Sequence, residues 1–551
     1  MGRTYSMSEH WSGGGSDMHV TEAEMSALSR ARSMDHGEQL ARIARKAPEK
    51  LAFRFQEQDL TFGQLDQRVN RLANALAGTG VTKGDRLATL MTNRLEVVEA
   101  YFAAAKLGAI CVPINFRLVA EEIAYIMSDS GARALITDPD LEATAEQAVR
   151  SAGALETLLV TGEPSGSSGA ATSYEQALDA ASTEEPAAIM SEADPAFLMY
   201  TSGTTGRPKG AVLSHFNLLM NTVNMIVHMG IAGDDEVWLS GLPLFHIGGL
   251  NGILPYLLLG GTSVMLPSGQ FDAAATVGML EREQITGCYF VPTQWQQICA
   301  VPGVRDRRLA LRRISWGASV APPSVLQAMA ETFPGIPNYN AFGQTEMSSV
   351  TCVLKGVDAV RKMGSVGKPV GNVEVRIVDD AMVDVADGAI GEVVYRGPTV
   401  LQEYWNNSTA TEAGFAGGWF HSGDLVRRDE DGYIFVVDRK KDMIISGGEN
   451  IYCAEVEAVI DAHPAVQEVA LIGMPDPKWV ETPRAVIVPV DAQCPPSESQ
   501  IIEWCRERLA SYKKPTSVVF RDALPRNASG KVLKTVLRQE QTLPSIPTSQ
   551  G

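Results

Sequence analysis

The run Tyr200-Thr201-Ser202-Gly203-Thr204-Thr205-Gly206-Arg207-Pro208-Lys209-Gly210 packs hydroxyls, glycines and two cations into one short loop. Such a loop can grip a polyphosphate. Glycines let backbone N–H groups turn inward, the hydroxyls of Thr201, Ser202, Thr204 and Thr205 are neutral donors, and Arg207 and Lys209 are charged ones. Ala196–Tyr200 before it and Ala211–Leu213 after it read as strands. A Walker loop instead ends Gly-Lys-Ser/Thr and opens into a helix. Here Lys209 is followed by Gly210 and β-type residues, so the chain turns back between strands.

Three later stretches carry chemistry-bearing residues. They are Asn338-Tyr339-Asn340-Ala341-Phe342-Gly343-Gln344-Thr345-Glu346-Met347, Trp419-Phe420-His421-Ser422-Gly423-Asp424, and Pro525-Arg526-Asn527-Ala528-Ser529-Gly530-Lys531-Val532. With the glycine-rich loop, and in this order from about Leu60 to Lys534, they resemble the adenylate-forming (AMP-binding) superfamily of acyl-CoA synthetases, adenylation domains and luciferases. The phrases Ala341–Met347 and Trp419–Asp424 are most similar to mycobacterial-type long-chain fatty-acid–CoA ligases.

The resemblance implies an ATP-dependent acyl-CoA synthetase that makes an acyl-adenylate and then acyl-CoA, releasing pyrophosphate and AMP. ATP, Mg2+ and coenzyme A are the implied cofactors. Lys531 is expected to reach the carboxylate and α-phosphate during adenylation. Glu346 is the expected Mg2+ ligand, since that ion prefers hard oxygen, and Thr345 the partner of a phosphate. Gly317, Ala318 and Ser319, with Ala341, Phe342 and Gly343, are expected to flank adenine. Asp424 suits the two ribose hydroxyls, supported by Arg439. Lys441 takes the hinge position between half-reactions, and Ser446, Gly447 and Gly448 line the pantetheine path. His246, in Pro243-Leu244-Phe245-His246-Ile247-Gly248-Gly249, falls beside the acyl pocket and offers a neutral imidazole where amino-acid-activating relatives carry aspartate. Four positions depart from the common pattern. Ser422 stands in place of the more usual threonine, Phe342 where many relatives have tyrosine, Cys453 where proline is common, and Val480 where glycine is usual.

The elements that must position these residues read as α/β. The expected organisation is a disordered tail over 1–33, a large multi-subdomain AMP-binding domain over 34–440, a small mobile α+β lid over 441–540, and a tail over 541–551. Thr61 with Gln64 forms a capping-box pattern ahead of a helix whose Leu65, Val69, Leu72 and Leu76 share one face, closed by Gly78. Ile451, Val456, Val459 and Ile460 read as one helix face, followed by strands over 469–472 and 485–488. The apolar stretch Gly252–Pro267 is broken by Pro255 and by Gly260-Gly261, and no run reaches the roughly 20 apolar residues of a membrane span.

At 551 residues two or three domains are expected, and 45% hydrophobic with 20% charged residues is a globular composition. Seven unpaired-looking cysteines suit a reducing cytoplasm. A formal charge of −18 argues against nucleic acid and against broad attraction to anionic lipid. Anionic ligands then need local cations, and Arg207, Lys209, Arg439, Lys441 and Lys531 coincide with the motifs. The substrate expected is a fatty acid. An aromatic or sterol-derived acid, or loading of a carrier protein by a fatty acyl-AMP ligase, are the alternatives, and a nucleotide-sensing pseudoenzyme is the non-catalytic one. A homodimer and weak peripheral membrane contact are compatible with this reading.

Overall fold

The computed structural model describes residues 28–542 apart from 154, 166–170, 187, 189, 202–207, 319–320, 447–448 and 527–530. The expected sites Ser202, Gly203, Thr204, Thr205, Ser319, Gly447 and Gly448 lie outside the described residues. Most of the expected N-terminal tail also does. Residues 28–32, which that tail included, are helical, and Ser33 is buried with its hydroxyl donating to Asp35. At the other end the helix Lys534–Thr542 runs into the segment expected as a tail.

Four sheets carry the molecule. The first has seven strands, in the order Ala171–Ser173, Thr157–Val160, Ala132–Thr137, Arg86–Leu90, Ile110–Pro113, Pro195–Thr201 and Lys209–Ser214. All its neighbours are parallel except the last two, which form an antiparallel hairpin. Its helices follow the sequence cues. Thr61 caps the helix Phe62–Gly78 with both bonds of the capping box, and Leu65, Val69, Leu72 and Leu76 are buried along one face.

The second sheet has nine strands and runs from Lys368–Pro369 through Ser349–Leu354, Asn338–Gln344, Arg313–Gly317, Gly287–Phe290, Val237–Ser240 and Thr262–Met265 to the hairpin Leu51–Phe55 and Gln58–Thr61. The helix Ile247–Leu259 lies against it and continues through Pro255, ending only at Gly260. Pro255 interrupts the apolar run but not the helix. Asn251, Ile253, Leu254 and Tyr256 are all buried there, and their packing outweighs the one helical hydrogen bond that proline removes. No helix among the described residues is long and apolar enough to cross a membrane.

An antiparallel sheet of Glu374–Val378, Ile390–Arg396, Phe420–Arg428 and Ile434–Arg439 follows. The fourth sheet, Glu449–Ile451, Ile444–Ser446, Val480–Pro489 and Val466–Asp476 with Ser517–Phe520 alongside, has its own apolar core around Val456, Ile460, Leu471 and Ile487. Ile451, expected on a helix face, is instead the last residue of a strand, and the helix runs Cys453–Asp461. The architecture is mixed α/β, large N-terminal part and small C-terminal part together.

Candidate functional site

The hairpin Pro195–Thr201 and Lys209–Ser214 places Thr201 directly opposite Lys209 at the mouth of the glycine-rich loop. The Thr201 hydroxyl donates to Glu346 Oε1 at 3.1 Å, and the Tyr404 phenol donates to the same oxygen at 3.2 Å. The Lys209 ammonium lies 5.4 Å from the centre of the Tyr404 ring, close enough for cation–π attraction. Tyr404 is a site residue that no sequence motif indicated. It arrives because residues 402–405 hydrogen-bond alongside 210–212: Gln402 N–H to Val212 O, Val212 N–H to Glu403 O, Trp405 N–H to Gly210 O.

Glu346 itself sits in a 3-10 turn, Thr345–Met347, that follows the strand Asn338–Gln344. That strand pairs in parallel with Arg313–Gly317, setting Ala341 opposite Gly317, and antiparallel with Ser349–Leu354. Ala341 and Phe342 are half-buried, and Ala318 continues from Gly317 with φ +66°. At Gly343 the hairpin register slips, and a Cβ there would lie 1.7 Å from the Ser349 carbonyl oxygen. Only glycine fits so close an approach.

Beyond this, Asp424 lies opposite Arg439 on neighbouring strands and is 2 % exposed. Arg439 Nε donates to Asp424 Oδ1 at 2.6 Å. Burial raises the Asp424 pKa, and the charges of Arg439 and Lys531 pull the other way. Glu346 acts on the same carboxyl, so the acid of the first group and the acid of the second share one electrostatic environment.

Lys531, from the C-terminal sheet region, completes the set. The residue as a whole is exposed, but its ammonium is crowded by protein. Desolvation first, then the cations Arg439 and Lys441, outweigh Asp424 and Asp442 and lower its pKa to about 8. Lys441 is exposed in the turn between Arg439 and Ile444. An ammonium held among other cations is arranged to meet an anion.

Further residues of the chain make local contacts. His246 is the N-cap of the helix Ile247–Leu259, its Nδ1 accepting from Gly248 N–H at 3.1 Å. Burial lowers its pKa, so the imidazole is neutral. Ser446 pairs with Glu449 and Val480 in the C-terminal sheet. Trp295 and Trp316 are plain core, with Trp295 Nε1 donating to Ser315 O. Cys453 is buried, its thiol donating to Asp442 O at 3.1 Å and pushed up by burial to about 12, which makes it a packing residue rather than a nucleophile.

Among the described residues no group of three or more His, Cys, Asp or Glu gathers to cage a metal. The Glu346 carboxylate with the Thr201 hydroxyl is a hard-oxygen set of the size Mg2+ uses when phosphate and water complete its shell. The donor chemistry therefore fits that ion.

Comparison with known proteins bears on this cleft. Residues 455–531, which include Lys531, match the AMP-binding enzyme C-terminal domain. The feruloyl-CoA synthase of Amycolatopsis sp is 41% identical over 500 residues, covering 90% of this chain and 97% of that protein. The long-chain-fatty-acid–CoA ligase FadD13 of Mycobacterium tuberculosis is 36% identical over 485 residues, covering 87% and 93%. The likeness is thus not particular to the mycobacterial fatty-acid type that the sequence phrases pointed to. The structure of o-succinylbenzoate CoA synthetase from Bacillus subtilis with its acyl-adenylate intermediate superposes with a TM-score of 0.80 at 34% identity, covering 91% of this chain and 97% of that one. Residues 40–405, which carry Thr201, Lys209, Glu346 and Tyr404, match the AMP-binding enzyme family, and the chain belongs to it.

Proposed function

We propose that the protein is an AMP-forming CoA ligase acting on an aromatic carboxylic acid, with ATP and coenzyme A as co-substrates and Mg2+ as the metal. The observation that carries the reading is the placement of the Lys531 ammonium beside the buried Asp424–Arg439 pair. A lysine supplied by the C-terminal part acts on the Asp424 carboxyl together with Arg439, and Glu346 acts on that same carboxyl.

Each group then has a role. Thr201 and Lys209, with the loop between them and Thr345, hold the phosphates. Asp424 and Arg439 hold the ribose, and Ala341, Phe342, Gly343, Gly317 and Ala318 flank the base. Glu346, oriented by Thr201 and Tyr404, is the residue that would hold Mg2+, whose charge neutralises the polyphosphate. The carboxylate of the acid attacks the α-phosphorus and pyrophosphate leaves. Lys531 stabilises the charge that develops there, and most of the acceleration is positioning and charge neutralisation. Coenzyme A thiolate then displaces AMP. For that step the lid, 441–540, rotates about Lys441, and Ser446 lines the pantetheine path.

The aromatic assignment draws on feruloyl-CoA synthase and o-succinylbenzoate CoA synthetase, both named for aromatic acids. A long-chain fatty acid is the second reading, favoured by the 36% identity to FadD13. Pyrophosphate release measured over ferulate, indoleacetate and fatty acids of increasing length, with and without coenzyme A, tests both. Turnover of aromatic acids at least tenfold above any fatty acid supports the proposal, and the reverse order replaces it. AMP release that does not depend on coenzyme A removes the CoA ligase reading.

A further inference from the structure

The antiparallel strands Ile390–Arg396 and Phe420–Arg428 fall out of register over Asp424. Glu392 pairs with Leu425 and Val394 with His421, so Ser422, Gly423 and Asp424 all face Val393 alone. A three-residue bulge needs something to hold its shape, since its backbone groups have left the ladder. Ser422 donates its hydroxyl to Val393 O and receives Asp424 N–H at 3.0 Å. The other anchor is Glu392. Its Oε1 accepts Gly423 N–H at 3.0 Å, and Gly423 takes φ +71°, where a Cβ would be strained.

The same carboxylate reaches further. Its Oε2 lies 3.1 Å from Lys440 Nζ and 3.1 Å from His421 Nδ1. Lys440 also pairs with Asp380 at 2.7 Å, and its backbone N–H donates to Gly423 O at 2.9 Å. Lys440 stands between Arg439, the partner of Asp424, and Lys441. Burial by itself would raise the Glu392 pKa, but the His421, Gly423 and Lys440 contacts outweigh it and hold the carboxyl below the usual range. One buried anion, 6 % exposed, therefore ties the Asp424 bulge to the start of the chain that leads into the C-terminal sheet.

We propose that Glu392 is a positioning residue for adenylation, clamping the Asp424 bulge and Lys440 together so that Lys531 is delivered in register with Asp424. The proposal rests on the functional reading above. It makes no contact with substrate and no claim on the thioester step, in which the chain after Lys440 takes another course.

Glu392→Gln keeps the shape and the Gly423 bond but removes the charge facing Lys440, and Lys440→Met removes the ammonium that pairs with Glu392 and Asp380. Both are assayed by ATP–pyrophosphate exchange and, separately, by thioester formation from preformed acyl-adenylate, with a thermal melt as the folding control. For Glu392→Gln the expected result is a tenfold or greater fall in exchange, with a raised KM for ATP, and a much smaller change in thioester formation. Lys440→Met should lower the exchange kcat about as much while leaving the KM for ATP near that of the unmodified enzyme. Equal losses in both half-reactions, or no loss in exchange, overturn the proposal. Should Glu392→Gln fail to fold, the Lys440→Met result decides in the same terms. Absence of exchange in the unmodified enzyme with every acid tried would instead overturn the ligase reading itself.

Discussion

Replacing Lys531 gives a prediction whose size and pH dependence both come from the site. With a pKa near 8, the lysine is roughly nine-tenths protonated at pH 7 and one-tenth at pH 9. A lowered pKa on a base means that the charged form is present below about pH 8 and lost above it. If the ammonium is the working form, kcat/KM for ATP–pyrophosphate exchange should hold below pH 8 and fall about tenfold between pH 7 and 9. Arg439 and Lys441 cause part of the depression, and a bound polyphosphate would cancel their field. The alkaline limb of kcat, which reports the loaded enzyme, should therefore lie at higher pH than that of kcat/KM. Lys531→Ala should lower exchange by about 10²–10³, the cost of losing one preorganised donor, and thioester formation from preformed acyl-adenylate should survive. Lys531→Arg should abolish the limb whatever activity remains, because guanidinium does not titrate in this range. A limb near pH 8 that persists in the arginine variant would refute the reasoning, as would equal losses in both half-reactions for the alanine variant.

His36 and His215 meet through their Nδ1 atoms at 2.8 Å in a buried site, and burial lowers them to about 3 and about 4, with repulsion from His215 adding to the shift of His36. Both rings fold uncharged, so their contribution is whole above the ordinary histidine pKa and is lost as pH falls below about 6.5, at roughly 1.4 kcal/mol per ring per pH unit. Melting temperatures taken from pH 7 to 5 should drop more steeply for the unmodified protein than for His36→Gln. Val480 is a β-branched residue at φ +73° and 67 % exposed. Val480→Gly should stabilise the C-terminal part by about 1 kcal/mol, strain relief of 1–2 less the chain entropy of glycine, and a lowered denaturation midpoint would contradict this. Tyr404→Phe removes one donor to Glu346 but keeps the ring beside Lys209, so exchange at limiting Mg2+ should weaken about three- to tenfold. A Mg2+ titration that superposes on the unmodified one would show that the phenol does not orient Glu346.

How far the sequence could be read depends on whether a feature is local. The capping box at Thr61, the apolar face of its helix and the strands on either side of the glycine-rich loop are local, and each stands where the residues indicate. The tolerance of Pro255 within a helix is not local, because it depends on what the helix packs against and not on its neighbours in the chain. Within the site, the contiguous phrases brought Thr201, Lys209, Glu346, Asp424 and Lys531 into view, and the family resemblance added Arg439. Tyr404 and Glu392 were invisible for one shared reason: neither belongs to a phrase. Tyr404 is placed by pairing with a strand almost 200 residues earlier, and Glu392 by a register slip against Phe420–Arg428. His246 illustrates the converse, a residue singled out by its phrase whose visible work is to cap a helix. On the proposed function the motif residues meet the ligands, and each motif is a contiguous stretch that can be read from the chain alone. The groups that aim them are set by tertiary pairing, which leaves no fixed spacing in the chain. The consequence is specific to this site: each acid expected at the nucleotide, Glu346 and Asp424, is held by a partner that only the fold supplies, Tyr404 for the first and the Glu392-anchored bulge for the second.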